Sequence, residues 1–133
     1  MPPTILLFGT FDHFHLGHEF VVREALKRGN VTIIVARDAN VRRIKGRLPD
    51  QDEETRRGIV ASLFPEAHVI LGHESDFLDP VRTIRPDLIL LGYDQRLPGS
   101  ITEEILHDMG ITVERLAAFA PDKYKSSLRR DPE

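Results

Sequence analysis

Residues Ile5 to His18 read "ILLFGTFDHFHLGH". Ile5 to Phe8 is a continuous apolar run, the pattern of a strand buried on both faces. Gly9 to His18 then crowds three histidines, two glycines and an Asp into ten positions. From Leu16 to Arg28 the apolar residues recur at helical spacing, with Phe20, Val21, Ala25 and Leu26 on one side and Gly29 as the stop. A buried strand that hands over to a helix through such a turn is the beginning of a strand–helix–strand unit, and the next strand, Val31 to Ala36, follows at once.

The alternation continues along the chain. A polar, basic stretch from Arg37 to Pro49 reads as a loop. Asp52 to Phe64 reads as a helix whose acidic first turn suits the positive end of the helix dipole. Ala67 to Leu71 is a third strand. Asp79 to Arg85 is a short helix with Asp79 as N-cap and Pro80 at the first helical position. Leu88 to Leu91 is a fourth strand, Ser100 to Met109 a helix capped by Ser100 or Thr102, and Ile111 to Leu116 a fifth strand. Continuous apolar strands separated by helices predict an α/β fold, a parallel sheet covered on both faces. Ligands bind such sheets outside the carboxyl ends of the strands. The polar signals fall at those exits: Gly9 to His18, Arg37 to Arg47, Gly72 to Asp76 and Gly92 to Pro98.

Composition narrows the classes. The 133 residues are 41% hydrophobic and suit one compact core. A net charge of -3 gives no overall basic field to draw nucleic acid, so an anion site must be local. The absence of Cys excludes disulfides, thiolate nucleophiles and cysteine-ligated zinc. No apolar run approaches a membrane span, and the expected setting is cytoplasmic, with no membrane partner.

In the turn itself, Gly9 is expected to allow a sharp exit from the strand, and Gly17 to leave room for close approach. The helix starting near Leu16 presents free N–H groups and its positive dipole end to the same spot. His15 and His18, three apart, share one side of that first turn. An anion placed there meets backbone donors and two imidazoles, a cradle for phosphate whose charge grows during reaction. Two other readings stand beside it: ordinary polar residues at a loop–helix junction, or His13, His15 and His18 as ligands of a transition ion.

Gly9-Thr10-Phe11-Asp12 followed by His15-Leu16-Gly17-His18 resembles the signature of the HxGH nucleotidylyltransferase superfamily, the cytidylyl- and adenylyltransferases. "VARD" (Val35–Asp38) with "RRIKG" (Arg42–Gly46), "EETRRGIV" (Glu53–Val60), "LGYDQ" (Leu91–Gln95) and "YKSSLRR" (Tyr124–Arg130) resemble further motifs of that superfamily in the same order. The resemblance implies a Rossmann-like, doubly wound five-stranded sheet in a single domain over residues 1–133. It implies transfer of a nucleotidyl group from an NTP to a phosphate monoester with release of pyrophosphate. His15, His18 and Lys45 would be catalytic. Gly9, Thr10, Phe11, Gly17, Asp94, Ser126, Ser127 and Arg129 would bind the nucleotide, and Asp38 and Arg56 the acceptor phosphate. Mg²⁺ would come bound to the NTP phosphates, and the protein would be a homodimer. Among branches of this length the chain looks most like the archaeal-type FAD synthases, which adenylylate FMN, with Phe14, Phe77 and Tyr93 as candidate walls of a flavin slot. Glycerol-3-phosphate cytidylyltransferases, sugar-phosphate adenylyltransferases and a nucleotide-binding regulatory module are the alternatives.

Overall fold

The computed structural model describes residues 2–117. The five strands are β1 (Thr4–Gly9), β2 (Asn30–Val35), β3 (His68–Leu71), β4 (Leu88–Leu91) and β5 (Thr112–Arg115). They form one sheet in the order β3-β2-β1-β4-β5, and every pairing is parallel. Helices α1 (Leu16–Leu26), α2 (Asp38–Lys45), α3 (Glu53–Leu63), α4 (Leu78–Ile84) and α5 (Glu103–Asp108) fill the connections.

Successive strand side chains point to opposite faces, so β1 divides its apolar run between two cores. Ile5 and Leu7 pack with Val22 and Ala25 of α1 and Val60 of α3, next to Phe64. Leu6 and Phe8 pack with Val81 of α4 and Leu106 of α5 on the other face. Burial of each such side chain contributes roughly 1.5–3 kcal/mol, which explains why β1 and β4 carry no polar interior position. The fifth strand differs from expectation. Its residues alternate toward solvent at the sheet edge, and the buried Ile111 and Leu116 lie just outside it.

Two helices also depart from the sequence reading. Residues 38–45 form α2 instead of a loop, ended by Gly46 in the left-handed region at φ 85°. Its basic last turn, Arg42, Arg43 and Lys45, complements the negative end of the helix dipole. In α4 the N-cap is Phe77, not Asp79; the carboxylate that accepts from the Leu78 amide is Asp76 (3.0 Å). For α5, Thr102 is the cap, accepting from the Ile105 amide at 3.1 Å.

The chain runs β1 to β2 to β3 in one direction and then returns to the other side of β1 for β4 and β5. The topological switch point therefore lies between β1 and β4. These strands share only two register pairs, Ile5 with Leu88 and Leu6 with Ile89. Beyond them the strands part, and the side chain of Gln95 bridges the gap: its Nε2 donates to the Phe8 carbonyl at 2.6 Å, and its Oε1 accepts from the Gly92 amide at 3.1 Å. Gln95, the last residue of the LGYDQ motif, is thus engaged by backbone. No helix among the described residues is long and apolar enough to cross a membrane.

Candidate active site

A cleft of about 720 Å³ opens over the carboxyl ends of the strands at the switch point, within the range of small-molecule sites. The first exit, from β1, supplies Gly9, Thr10 and Phe11, and the start of α1 supplies His15, Gly17 and His18. Lys45 and Asp94 border the same cleft.

The turn is built tightly. A Cβ on Gly9 would meet the Phe11 ring at 2.6 Å, so close ring packing, not a left-handed turn, requires the glycine. Phe11 itself has φ 58° and His13 φ 54°, strained values for residues with a Cβ. Phe14 turns under the sheet, where its ring meets those of Phe11, His18 and Phe64. It does not wall the cleft; Phe77 and Tyr93 do.

His15 is the N-cap of α1, and its Nδ1 accepts from the Gly17 amide at 3.1 Å. His18 Nδ1 in turn accepts from the His15 amide at 3.2 Å. The two rings stack with centroids 3.9 Å apart and planes 17° from parallel. An Nδ1 that accepts carries no proton, so each neutral ring holds its proton on Nε2. The motif spacing thus gives two stacked Nε2–H donors at the positive end of the α1 dipole, an anion-directed arrangement. His13 leaves this group: its Nε2 lies 2.9 Å from an Asp50 carboxylate oxygen. Among the described residues the metal-ligand grouping is Asp12, His13 and Asp50, not the three histidines, and it does not line the cleft.

Asp12 ties the β1 exit to the segment before α3. Its carboxylate accepts from the amides of Asp50 (2.9 Å) and Gln51 (3.0 Å). Burial pushes this carboxyl up, but the two amides, with the charges of His13 and Arg56, outweigh burial and hold it below its ordinary value of 3.8. A depressed folded-state pKa contributes stability that is complete above the unfolded value and disappears as pH falls through the folded value. Asp12→Asn should therefore flatten the loss of stability below about pH 4. Denaturant midpoints at about pH 6 and pH 3 check this, and equal acid losses in both proteins would count against the tie.

The acceptor pair expected from the sequence has another role. Arg56 is fully buried (0% exposed). Its Nη1 donates to the Thr10 carbonyl at 2.7 Å, its Nε to the Gln51 carbonyl at 2.9 Å, and its Nη2 to an Asp38 oxygen at 2.6 Å. Asp38 and Glu53 cross-cap two helices: the Asp38 amide donates to Glu53 at 2.8 Å, and the Glu53 amide to Asp38 at 3.3 Å. Neither Arg56 nor Asp38 lines the cleft. A guanidinium with three protein acceptors at zero exposure is a tie between β1, α2 and α3, and it has no face to offer a phosphate. Asp38 and Arg56, expected as acceptor ligands, are thus placed as partners of each other away from the cleft lining.

The helix read as a loop carries the expected Lys45 and supplies Arg37, Asn40, Val41 and Ile44, which the sequence reading missed. Arg37, Asn40, Val41, Ile44 and Lys45 all border the cleft. Their spacing, three, one, three, one, is one helical face. Arg37 Nε donates to the Gly72 carbonyl at 2.7 Å, and Asn40 Nδ2 to the His73 carbonyl at 3.0 Å, so α2 is fastened to the β3 exit. Lys45 Nζ reaches the Thr10 hydroxyl at 3.4 Å from the last turn of the helix. On the other wing, Arg115 Nη1 donates to the carbonyls of Gly92 (3.0 Å), Tyr93 (3.4 Å) and Gln95, and so shapes the turn that carries Asp94. Ser126, Ser127 and Arg129 lie outside the described residues.

The comparisons with known proteins agree with this architecture. The Cytidylyltransferase-like family model matches residues 6–130. The FAD synthase of Aciduliprofundum boonei is 40% identical over 111 residues, 83% of this chain and 74% of that protein. The FAD synthase of Thermoplasma acidophilum is 35% identical over 129 residues, 95% of this chain and 90% of that protein. The crystal structure of a lipopolysaccharide core biosynthesis protein from Thermoplasma volcanium superposes with a TM-score of 0.77 at 32% identity, covering 90% of this chain and 99% of that one. A sheet with its cleft at the β1/β4 switch point, a histidine-capped helix aimed at that cleft, and matches running over most of the length lead to one assignment: the chain is a nucleotidyltransferase of the cytidylyltransferase-like family.

Proposed function

We propose that the protein is an FMN adenylyltransferase, an FAD synthase. The observation that carries the acceptor choice is the wall of the cleft beside α2. Ile34, Val41, Ile44, Phe77 and Pro80 border it. The Arg43 guanidinium lies 5.9 Å from the Phe77 ring centroid and supports that ring. An apolar slot of this kind suits a flat, largely apolar ring system, whereas glycerol phosphate needs only a small polar pocket. Relatives that are FAD synthases at 35% and 40% identity support the same reading.

In this reaction an FMN phosphate oxygen attacks the α-phosphorus of ATP. A P–O–P bond forms, the bond from the α-phosphorus to its bridging oxygen breaks, and pyrophosphate leaves. No protein nucleophile is needed, so catalysis is positioning and charge neutralisation. The Nε2–H groups of His15 and His18, with the α1 amides, meet the triphosphate. Thr10 and the backbone at Gly9, Phe11 and Gly17 border the α-phosphate. Lys45 stands where the acceptor and nucleotide phosphates come together. Asp94 faces the nucleoside, and Ser126, Ser127 and Arg129, outside the described residues, are assigned to the β- and γ-phosphates by the family resemblance. Asp94 is the one carboxylate bordering the cleft among the described residues, and no His/Asp/Glu grouping there has ligand spacing. On this reading Mg²⁺ enters as part of the substrate, on the triphosphate oxygens. The protein works in the cytoplasm as a homodimer.

Pyrophosphate release with Mg²⁺ tests the proposal, crossing ATP and CTP against FMN, glycerol 3-phosphate and a sugar 1-phosphate. Release with ATP and FMN alone is the expected result. Release with CTP and glycerol 3-phosphate, or with ATP and a sugar phosphate, assigns the acceptor to another branch. Nucleotide binding without release from any pair overturns the enzymatic reading.

A further inference from the structure

Asn40 is 2% exposed, one of two polar or charged side chains in the core among the described residues, and it borders the cleft from the inner face of α2. Its Nδ2 donates to the His73 carbonyl at 3.0 Å. A carbonyl accepts only, so this bond fixes the amide's orientation and leaves Oδ1 as an acceptor. No described donor reaches that oxygen. A buried acceptor without a donor is a standing cost to the folded protein and calls for a partner that arrives from outside.

The cleft wall that flanks Asn40 is apolar: Val41 and Ile44 on the same helical face, Ile34 from β2, and Phe77 before α4. A ligand there must be flat and apolar on its faces and carry an N–H on its edge. The isoalloxazine ring meets that description, and its one ring N–H is the imide N3–H. We infer that Asn40 Oδ1 accepts from the flavin N3–H and is the residue that selects a flavin acceptor in this cleft. The inference rests on the proposed FMN adenylylation and names a determinant of its acceptor choice. Lys45, five residues and roughly one and a half turns further along α2, then lies toward the phosphate end of the ligand, so that one helix spans from imide to phosphate.

The test compares FMN with 3-methyl-FMN, in which a methyl replaces the imide hydrogen. With saturating ATP, the wild-type protein should disfavour 3-methyl-FMN in kcat/KM by roughly 10- to 100-fold, the scale for leaving a buried acceptor without its donor. Asn40→Ala removes the acceptor and makes room for the methyl, so the preference should shrink to about threefold or less, with the FMN KM raised and the ATP KM little moved. The wild-type comparison needs no variant and stands if Asn40→Ala folds poorly. Equal use of both flavins by the wild type overturns the inference while FMN adenylylation stands. So does an Asn40→Ala protein that keeps the full preference, or one whose ATP KM rises as much as its FMN KM. Turnover of a different acceptor, with none of FMN, overturns the proposed function and this inference together.

Discussion

His15→Asn is expected to unfold close to the wild-type temperature yet turn over ~10²–10³ more slowly. The residue has two jobs on two different atoms. Its Nδ1 caps α1 by accepting from the Gly17 amide, a job that an Asn side-chain oxygen performs as well as any residue. In the proposed reaction its Nε2–H is the donor that stabilises charge, and Asn lacks an N–H at that reach. His15→Ala removes both atoms, so it should lose the same turnover and about 1 kcal/mol of stability besides. Thermal unfolding read beside pyrophosphate release separates the jobs. A His15→Asn protein with normal turnover and lowered stability would reduce the imidazole to a cap. His18→Ala should fall with His15→Asn in rate, and it also leaves the His15 amide without the 3.2 Å acceptor that His18 provides.

Arg56→Met should cost about 3 kcal/mol or more in unfolding free energy, enough to lower the melting temperature by roughly 10 °C. The estimate follows from its partners. Removing the guanidinium strands the half-buried Thr10 and Gln51 carbonyls, both held at under 3 Å, and empties the fully buried Arg56 position. Asp38 keeps a route to solvent, its side chain being 29% exposed, so the carbonyls account for most of the loss. Arg56→Lys should rescue little, because one ammonium cannot reach three acceptors in a planar fork. Urea unfolding measures it. A change under about 1 kcal/mol would show that the network tolerates its own removal. Because Thr10 sits between Arg56 and the cleft, turnover should also fall in any fraction that remains folded.

The strands were readable because parallel, doubly covered strands leave an uninterrupted apolar signal, and β1 to β4 come within about two residues of the expected ranges. Helix α2 was not. Only Ala39, Val41 and Ile44 among its eight residues are apolar, because the face it presents borders a cleft and not a core. Periodicity of hydrophobic residues is silent on a helix whose inner face is Asn, Val, Ile and Lys. The stop at Gly46 and the acidic start at Asp38 were the available signals.

The cleft residues were legible for the opposite reason. Glycine and histidine stand out at a strand exit, where a merely structural turn rarely needs both. Arg56 and Asp38 misled because a sequence shows charges without showing whom they pair with; eighteen residues apart, they meet only through the cross-capping of α2 and α3. Phe14 misled likewise, since an aromatic beside the motif can turn toward Phe64 as readily as toward a ligand.

The strand order has a consequence for how such a protein can diversify. Residues of the wing assigned to the acceptor come from a single stretch between Ile34 and Pro80, whereas the opposite wing draws on α1 and on residues after β4. The triphosphate cradle sits between them on β1 and α1. On the proposed reading acceptor choice is written in one contiguous block of the chain, which meets the nucleotide-binding turn through Lys45 and through the bond from Arg56 to the Thr10 carbonyl. A recombination that exchanges that block, with its Asp38–Arg56 tie included, can transplant a new acceptor preference onto an unaltered catalytic turn.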